Sequence, residues 1–359
     1  MANTNQHKSA LSEQDGIQQP DYLSKSAAER IRKHRKKQKS VSELAAAILK
    51  GDKVALSQGI TLIESQQSTH QEKAKQLIEA CLSYVKPSIR IGITGVPGVG
   101  KSTFIEAFGT SLISKGYKVA VLAVDPSSGV THGSILGDKT RMEDLVKEDN
   151  AFIRPSPSGD SLGGVARKTR ESIILCEAAG FDVILIETVG VGQSETTVHS
   201  MTDFFLLLKL AGAGDELQGI KRGIIEMADA IVINKADGEN IKAAKQAKSE
   251  FRKALHLYPE KESQWQPKVL LASALKQEGI SEVWEMIEDY KTSTKASSYF
   301  EFRRQEQNKF WLLQTIQDRL KADFFSKPNI KTALQEQLKA IEDHKTTAFE
   351  AASYLLNLK

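Results

Sequence analysis

The sequence predicts an α/β fold in which a mostly parallel sheet is flanked by helices on both faces. From residue 89 onward, short runs of β-branched and other apolar residues alternate with helical segments. Several of these runs are apolar without alternation, which is typical of strands covered on both faces. Strands that alternate with helices are joined most simply as a parallel sheet. The predicted strands are 91–94, 118–124, 151–154, 183–186, 204–208, 231–233 and 269–271.

Helical extensions are predicted on both sides of this α/β domain. We expect a polar, basic and mobile segment at 1–41, a helical region at 42–88, the α/β domain at 89–290 and a helical tail at 291–359. The basic run from Arg30 to Lys39 fits either a solvated helix face or a patch for an acidic partner.

Two helices are predicted in the region 42–88. One carries Leu44 and Ile48 and stops at Gly51, and the other carries Leu77 and Cys81 and ends before position 87. The tail holds apolar positions at helical spacing from 310 to 356. It could pack as a hairpin on its own domain, but we favour a dimerisation arm, since its apolar positions extend beyond what one flanking contact would use.

Composition excludes several classes of protein. The chain has 359 residues and a formal net charge of only +4, which gives no general case for nucleic acid or an anionic membrane as partner. No stretch approaches the roughly 20 apolar residues of a membrane span, and the amino terminus lacks the apolar run of a secretory signal. Cys81 and Cys176 lie in separate apolar helical patterns, which indicates two buried thiols and a cytoplasmic location.

A phosphate-binding loop directly follows the first predicted strand. The segment Gly95-Val-Pro-Gly-Val-Gly-Lys-Ser102 matches the Walker A pattern in full, which makes the α/β domain a P-loop NTPase domain. Its glycines let backbone N–H groups point inward at the phosphates, next to the positive end of the following helix. Lys101 is expected to reach the β- and γ-phosphates as a catalytic residue. The predicted phosphate site comprises Gly95, Val96, Pro97, Gly98, Val99, Gly100, Lys101, Ser102 and Thr103.

Acidic residues are predicted to converge on this loop. Asp125 follows the second strand, Glu187 closes a Walker-B-like strand, and Asp138 lies in the long loop after Asp125. Mg²⁺ prefers oxygen ligands and usually keeps some of its water. We therefore predict that Mg²⁺ or its water molecules are held by Ser102, Asp125, Asp138 and Glu187.

A guanine-reading segment follows the strand predicted at 231–233. Asn234-Lys-Ala-Asp237 matches the Asn-Lys-x-Asp pattern. A carboxylate only accepts hydrogen bonds, so Asp237 pairs with the N1–H and N2–H₂ donors of guanine and finds no match on adenine. An unpaired buried acceptor is costly, which makes the discrimination strong. The predicted base contacts are Asn234, Lys235, Asp237 and, through a backbone N–H that contacts the guanine oxygen, the loop of Ser273, Ala274 and Leu275.

With these motifs, the chain resembles the MeaB/ArgK family, the GTPases associated with methylmalonyl-CoA mutase. The resemblance covers about residues 42–304, and its most specific segment is Gly214-Asp-Glu-Leu-Gln-Gly-Ile-Lys-Arg-Gly-Ile-Ile-Glu-Met-Ala-Asp229, which general GTPase chemistry does not require. Further matching segments are Val124-Asp-Pro-Ser-Ser128, Ser134-Ile-Leu-Gly-Asp-Lys-Thr-Arg-Met142, Phe152-Ile-Arg-Pro-Ser156 and Glu187-Thr-Val-Gly-Val-Gly-Gln-Ser-Glu195.

The resemblance implies a homodimeric chaperone that binds GTP and GDP. Similar proteins gate adenosylcobalamin transfer into the mutase and protect it during turnover, and the adenosyltransferase is a further partner to consider. We expect no cobalamin to be bound by this chain itself. The resemblance also implies three switches, at 127–142, 187–195 and 212–222.

Hydrolysis is expected to be slow until a partner binds. Val191 occupies the position where Ras-type proteins place a water-orienting Gln, and Gln193 lies farther along. We hypothesise that partner binding inserts a missing catalytic group, with Lys221 as the leading candidate and Asp215 as its organiser. The alternative is that these two residues form only an exposed ion pair.

Other functions remain open at this point. A metal-insertion GTPase would need a Cys/His store, whereas the seven histidines here are scattered and the two cysteines are apart. A nucleotide-dependent kinase of amino-acid transport proteins would need a protein-substrate cleft that no motif marks. A purely structural nucleotide binder would show no turnover even with its partner.

Overall fold

Seven strands form the central sheet of the chain. A computed structural model describes residues 39–124, 142–155, 162–188, 194–212 and 222–358. The strands are β1 (Ile89–Thr94), β2 (Val119–Val124), β3 (Ala151–Arg154), β4 (Val183–Thr188), β5 (Phe204–Leu210), β6 (Ala230–Asn234) and β7 (Lys268–Leu271). Their order is β3-β2-β4-β1-β5-β6-β7, and every neighbouring pair is parallel. The predicted parallel sheet is confirmed, with each strand within two residues of its expected bounds.

Helices surround this sheet on both faces. They are α1 (Val41–Leu49), α2 (Lys53–Glu64), α3 (Ser68–Leu82), α4 (Lys101–Ser114), α5 (Glu143–Lys147), α6 (Leu162–Ala178), α7 (Ser194–His199), α8 (Arg222–Met227), α9 (Ile241–Leu255), α10 (Ile280–Ala296), α11 (Tyr299–Ser326), α12 (Pro328–Glu342) and α13 (Ala348–Asn357). A 3₁₀ turn, Gly238–Asn240, precedes α9. From α1 onward the described residues belong to one compact unit.

Side chains alternate along the strands between two apolar layers. One layer, which includes Ile91 and Ile93, packs against α4, α5 and α10. The opposite layer, which includes Ile184 and Ile186, packs against α1, α2, α3, α6 and α7. A third cluster lies under α8 and α9 against β5 and β6. This arrangement explains the continuous apolar runs in the sequence, because the central strands are covered on both sides.

The amino-terminal helices share the core of the sheet domain. Leu56, Ile60 and Leu77 are fully buried and belong to the same cluster as Leu175 of α6. Helix α2 is not among the predicted helices; it begins after Asp52, whose carboxylate accepts hydrogen bonds from the N–H groups of residues 54 and 55. Cys81 and Cys176 are both buried and free, as predicted, and burial raises the pKa of each thiol. The division at 42, 89 and 291 remains a prediction.

The carboxyl-terminal helices leave much apolar surface uncovered. Trp311 of α11 is buried, whereas Leu312, Leu313, Ile316 and Leu320 are 62%, 52%, 46% and 64% exposed. Helices α12 and α13 fold back beside the end of α11 and form an apolar groove of about 330 Å³. The tail therefore combines packing on its own domain with an apolar surface that the described residues do not cover.

A buried ion-pair network joins the tail to the amino ends of the central strands. Arg90 of β1 makes two hydrogen bonds to Glu177 of α6, of 2.8 and 2.9 Å. Arg304 of α11 donates to both carboxylate oxygens of Asp203, at 2.8 and 2.7 Å. Burial alone would raise the pKa of Asp203, but the charge and hydrogen bonds of Arg304 and Arg90 hold it below its ordinary value. The start of α11 is thus fixed to the sheet.

Among the described residues, none of the helices has the length and hydropathy of a membrane span.

Candidate nucleotide-binding site

The phosphate-binding loop connects β1 to α4 in the conformation that its glycines allow. Gly95, Gly98 and Gly100 have φ angles of 156°, 82° and 91°, a region that other residues rarely adopt. A Cβ atom on Gly95 would approach the Leu208 carbonyl oxygen of β5 to 2.7 Å. The loop therefore lies so close to β5 that a side chain at position 95 has no room. Helix α4 begins at Lys101, and its first N–H groups are directed at the space above the loop.

Lys101 extends back over this loop. Its ammonium group donates hydrogen bonds to the carbonyl oxygens of Gly95 and Val96, at 2.8 and 3.3 Å. Val99 is buried below the loop, Pro97 and Gly98 are exposed at its tip, and Thr103 is exposed in the first turn of α4. The loop thus presents a cation and backbone donors on one side, which is the arrangement that a polyphosphate requires.

Two of the predicted metal ligands meet beside the loop. The Ser102 hydroxyl donates a hydrogen bond of 3.2 Å to Oε1 of Glu187. Glu187 lies near the end of β4, where its register partner in β1 is Ile93. One position later, the Thr188 hydroxyl donates to that of Thr94 at 2.8 Å. The pairing of β1 with β4 therefore places the Ser102 hydroxyl and the Glu187 carboxylate side by side at the start of α4. Both are oxygen ligands of the kind that Mg²⁺ prefers.

The other residues predicted for metal binding and catalysis lie outside the described residues. Asp125 follows Val124, whose register partner is Thr188, so β2 ends at the same edge as β4. Asp125 itself lies outside the described residues, as do Asp138, Asp215 and Lys221. In the described parts of the chain, no group of three or more His, Cys, Asp or Glu side chains is arranged to hold a metal ion.

Asn234 links the phosphate loop to the base-binding loops. It ends β6 and is 1% exposed. Its side-chain amide donates to the Val99 carbonyl oxygen at 2.9 Å, and its side-chain oxygen accepts from the Ala274 N–H at 3.3 Å. Asn234 therefore connects the phosphate loop to the loop after β7, and both polar groups of its side-chain amide are hydrogen-bonded to the backbone.

Lys235 makes a second link between the same loops. Its φ angle of 56° is unusual for a residue with a side chain. The ammonium group donates to the Gly98 carbonyl oxygen at 3.0 Å, and the Lys235 carbonyl accepts from the Asn240 amide at 2.7 Å. The unusual backbone conformation of Lys235 directs the chain away from β6, and its long side chain reaches the phosphate loop.

The carboxylate of Asp237 is oriented by a neighbouring hydroxyl. Ser273 follows β7 and donates its hydroxyl hydrogen to Oδ2 of Asp237, while the Ser273 hydroxyl oxygen accepts from the Lys276 N–H at 3.2 Å. Ser273 is 1% exposed and Leu275 is 82% exposed. The sequence predicted only backbone contacts for residues 273–275. The hydroxyl contact to Asp237 was missed, because nothing in the spacing of the two segments shows that they meet.

The described residues of the predicted nucleotide site lie along one edge of the sheet. The phosphate loop follows β1, the Ser102–Glu187 pair lies between β1 and β4, and Asp237 and Ser273 follow β6 and β7. Ligands of open α/β sheets bind at the carboxyl ends of the strands. The described residues lie at that edge, and the binding of guanine at Asp237 and of phosphates at residues 95–102 stays a prediction.

Comparisons with known proteins agree with this geometry. Residues 56–329 match the family model described as methylmalonyl Co-A mutase-associated GTPase MeaB. The chain is 47% identical over 305 residues to the GTPase ArgK of Escherichia coli K12, covering 85% of this chain and 92% of that protein. It is 46% identical over 306 residues to the mitochondrial methylmalonic aciduria type A homolog of Mus musculus, covering 82% and 74%. A crystal structure of an LAO/AO transport system kinase matches with a TM-score of 0.73 at 39% identity, covering 89% of this chain and 97% of that one.

We predict that Asp237→Asn exchanges the base preference. Guanine offers two donors, N1–H and N2–H₂, but Asn has only one acceptor oxygen, and its second group is an N–H₂ donor. Xanthine carries an oxygen acceptor at C2, which can pair with that N–H₂ group. GTP affinity should fall by about 100-fold or more, and XTP should become the better ligand. Calorimetric titration with GTP, XTP and ATP measures this. Asp289→Asn, which changes an exposed carboxylate on α10, is the control. Equal loss of all three nucleotides would contradict a base-reading role.

Proposed function

The chain belongs to the MeaB family of methylmalonyl-CoA mutase-associated GTPases, and from this membership we propose that it is a chaperone of a cobalamin-dependent acyl-CoA mutase. It is a GTPase with a P-loop NTPase fold. We propose that it gates adenosylcobalamin loading into a mutase of the methylmalonyl-CoA type and protects that enzyme during turnover, without binding cobalamin itself. The observation that carries the proposal is the Asp237 carboxylate, which the Ser273 hydroxyl orients at the same sheet edge as the phosphate loop. In a chain of this family, that carboxylate is placed to read guanine.

The proposed hydrolysis depends on positioning and on charge. Backbone N–H groups of residues 95–101 and the Lys101 ammonium would bind the phosphates and stabilise the charge that moves toward the leaving oxygen. The Ser102 hydroxyl and Glu187 carboxylate, together with Asp125 and Asp138, would hold Mg²⁺ or its waters. Bound Mg²⁺ would neutralise charge on the phosphate oxygens. Ser102 and Glu187 fit this group, because they bring two hard oxygens together at the loop.

A partner is proposed to complete the catalytic site. Hydrolysis needs a water held in line with the γ-phosphate, and the position after Gly190 carries Val191, which cannot orient water. We propose slow turnover alone and faster turnover when the mutase reshapes the switches, with Lys221 organised by Asp215 as the added cation. The adenosyltransferase is a second proposed partner. We further propose a cytoplasmic location, in keeping with the two buried free thiols.

The exposed face of α11 supports a homodimer. Leu312, Leu313, Ile316 and Leu320 form one stripe at helical spacing, and each is at least 46% exposed. Contiguous apolar surface of this kind is characteristic of protein interfaces. The carboxyl-terminal end of α11 also lines an apolar groove with α12 and α13, which adds further exposed apolar surface. We propose that a second copy of the chain covers this stripe.

A nucleotide-dependent kinase of amino-acid transport proteins is the second proposed function, because the 39% identical crystal structure is described as an LAO/AO transport system kinase. A kinase would transfer the γ-phosphate to a protein rather than to water. The Asp237 reader favours GTP as the phosphate donor.

We expect Glu187→Gln to separate nucleotide binding from hydrolysis. The substitution keeps the shape of the side chain and removes the charge that would face Mg²⁺. GTP turnover should fall by about 100-fold, while GTP affinity should change only a few-fold. Turnover and affinity are measured across a range of Mg²⁺ concentration, with Glu285→Gln on the exposed face of α10 as the control. A variant with wild-type Mg²⁺ dependence would remove Glu187 from the metal site.

The dimer proposal predicts that charge in the stripe produces a monomer. The double variant Leu312→Glu, Ile316→Glu should sediment as a monomer at concentrations where the wild type sediments as a dimer, because burying two carboxylates in an apolar interface is costly. Gln317→Glu adds a charge to the same helix beside the stripe and should remain dimeric. Sedimentation of the wild type as a monomer would sink the proposal.

The main proposal is tested with purified methylmalonyl-CoA mutase. Association should differ between the GDP form and the form with a non-hydrolysable GTP analogue, and the mutase should raise GTP turnover by at least about 10-fold. Lys101→Ala, which weakens phosphate binding, should lose the nucleotide dependence. Labelled GTP added with candidate transport proteins tests the kinase alternative. No nucleotide-dependent association with the mutase, together with stoichiometric labelling of a transport protein, would favour the kinase.

A further inference from the structure

A cavity of about 520 Å³ lies at the amino edge of the sheet, opposite the edge that carries the predicted nucleotide site. Its wall includes Asp229, which directly precedes β6, and Tyr290, whose hydroxyl donates to the carbonyl oxygen of Asp203 just before β5. Helices α7, α8 and α11 and the segment 258–267 contribute to the rest of the wall. Of the described residues in this wall, none is predicted to bind nucleotide or Mg²⁺. The GTP site therefore does not account for the cavity.

Arg303 is a half-buried cation in this wall, and it forms no ion pair with the described residues. Its Nη2 donates to Nε2 and to the carbonyl oxygen of His199, at 2.9 and 3.3 Å, whereas its buried Nε has no acceptor among the described residues. The adjacent Arg304 differs, because it is paired with the carboxylate of Asp203. Charges that are removed from water are normally paired in proteins. The unpaired guanidinium at the cavity wall therefore indicates an anion as its partner.

The buried carboxylate in the same wall, that of Asp229, already has its own partners. Its Oδ1 accepts from the Lys261 ammonium group at 2.7 Å, and its Oδ2 accepts from the Phe205 N–H at 2.9 Å. Lys261 also donates to two backbone carbonyl oxygens, at 2.9 and 2.8 Å, so its three N–H groups are all used. Asp229 and Lys261 thus neutralise each other, and the charge of Arg303 remains for a ligand.

His199 adds an uncharged donor beside Arg303. Burial lowers its pKa to about 4, and the charges of Arg303 and Lys261 add to this while Asp229 opposes it. The neutral ring accepts from Arg303 at Nε2, so its proton is on Nδ1, for which the described residues provide no acceptor. A carboxylate only accepts hydrogen bonds, and its bonds to charged donors are stronger than those between neutral groups. This part of the wall therefore suits a carboxylate.

Much of the remaining wall is apolar or aromatic. Ile225 is buried, and Leu255 and Tyr258 are half-buried. Small-molecule sites are typically cavities of roughly 300–1,000 Å³ with mainly apolar walls and a few polar groups that orient the ligand. The other acidic residues of the wall are exposed: Glu226, Glu260 and Glu262. Their charges repel a polyanion more strongly than a single carboxylate, which favours a ligand with one negative charge.

We propose that this cavity binds a small monocarboxylate with an apolar body, whose carboxylate pairs with Arg303 and accepts a hydrogen bond from His199. The apolar body lies against the side chains of residues 225, 255 and 258, where its burial adds to the binding free energy. An uncharged analogue loses the ion pair, and an inorganic anion loses the apolar contact. The cavity shares no described residue with the nucleotide site, so this proposal does not depend on the proposed function.

Ligand-observed NMR titration of the full chain with phenylacetate and with hexanoate tests the site. At least one of these carboxylates should bind, and phenylacetamide, hexanamide and inorganic phosphate should bind at least about 10-fold more weakly. In Arg303→Met, the affinity for the carboxylate should fall by at least about 10-fold, because the ion pair is lost while the side chain stays long and apolar. Arg303→Lys keeps the charge without the planar guanidinium and should retain part of the affinity.

Matched variants separate loss of this site from general damage. Arg319→Met changes an exposed arginine of the same helix and should keep the wild-type affinity for the carboxylate. Glu262→Lys reverses an exposed charge at the cavity and should raise that affinity by about 2-fold or more at low ionic strength, which tests the site even if Arg303→Met fails to fold.

The outcomes for the cavity and for the nucleotide site are distinguishable, because GTP affinity is measured on the same samples. No binding of either carboxylate to the wild type, equal affinity for carboxylate and amide, or full affinity in a folded Arg303→Met variant would overturn the carboxylate site. A wild type that binds the carboxylate but not GTP would count against the proposed function and leave the cavity proposal intact.

Discussion

Parallel strand pairing assembles the candidate site, because it places the ends of several strands at one edge of the sheet. Parallel pairing brings the ends of β1, β4, β6 and β7 together, although they are far apart in sequence. The side-chain amide of Asn234 then ties two of the resulting loops to each other, at Val99 and Ala274. A residue with one donor and one acceptor in fixed geometry is required, because both partners are backbone groups that would otherwise be buried unpaired.

Acidic side chains at the two edges of the sheet have different kinds of partner. At the carboxyl edge, the carboxylates of Glu187 and Asp237 accept hydrogen bonds from the hydroxyls of Ser102 and Ser273. At the amino edge, Glu177 and Asp203 are enclosed by arginines that satisfy their oxygens within the protein. Breaking such a buried pair on one side leaves an uncompensated buried charge, which is strongly destabilising.

Sequence patterns predicted the elements well where the signal is local. The seven strands follow from short apolar runs, and the loop at 95–102 follows from glycines at fixed spacing. Helix α2 was not predicted, although its buried residues Leu56, Ile60 and Ile63 lie at helical spacing after the capping residue Asp52. In the tail, the pattern identified Trp311 and Leu312 as equally apolar neighbours. The pattern could not show that Trp311 is buried and Leu312 exposed. That difference depends on which face of α11 packs against the loop between α7 and β5.

Sequence patterns alone were enough to identify the phosphate loop, the guanine-reading segment, the family resemblance and the alternation of strands with helices. Each of these lies within a few consecutive residues, where backbone conformation and side-chain chemistry are fixed by near neighbours. The folded structure was needed to show that Ser102 contacts Glu187, that Ser273 donates to Asp237 and that Arg303 donates to His199. These pairs are joined by strand order and register, and a contact between distant segments leaves no periodic signal in either of them.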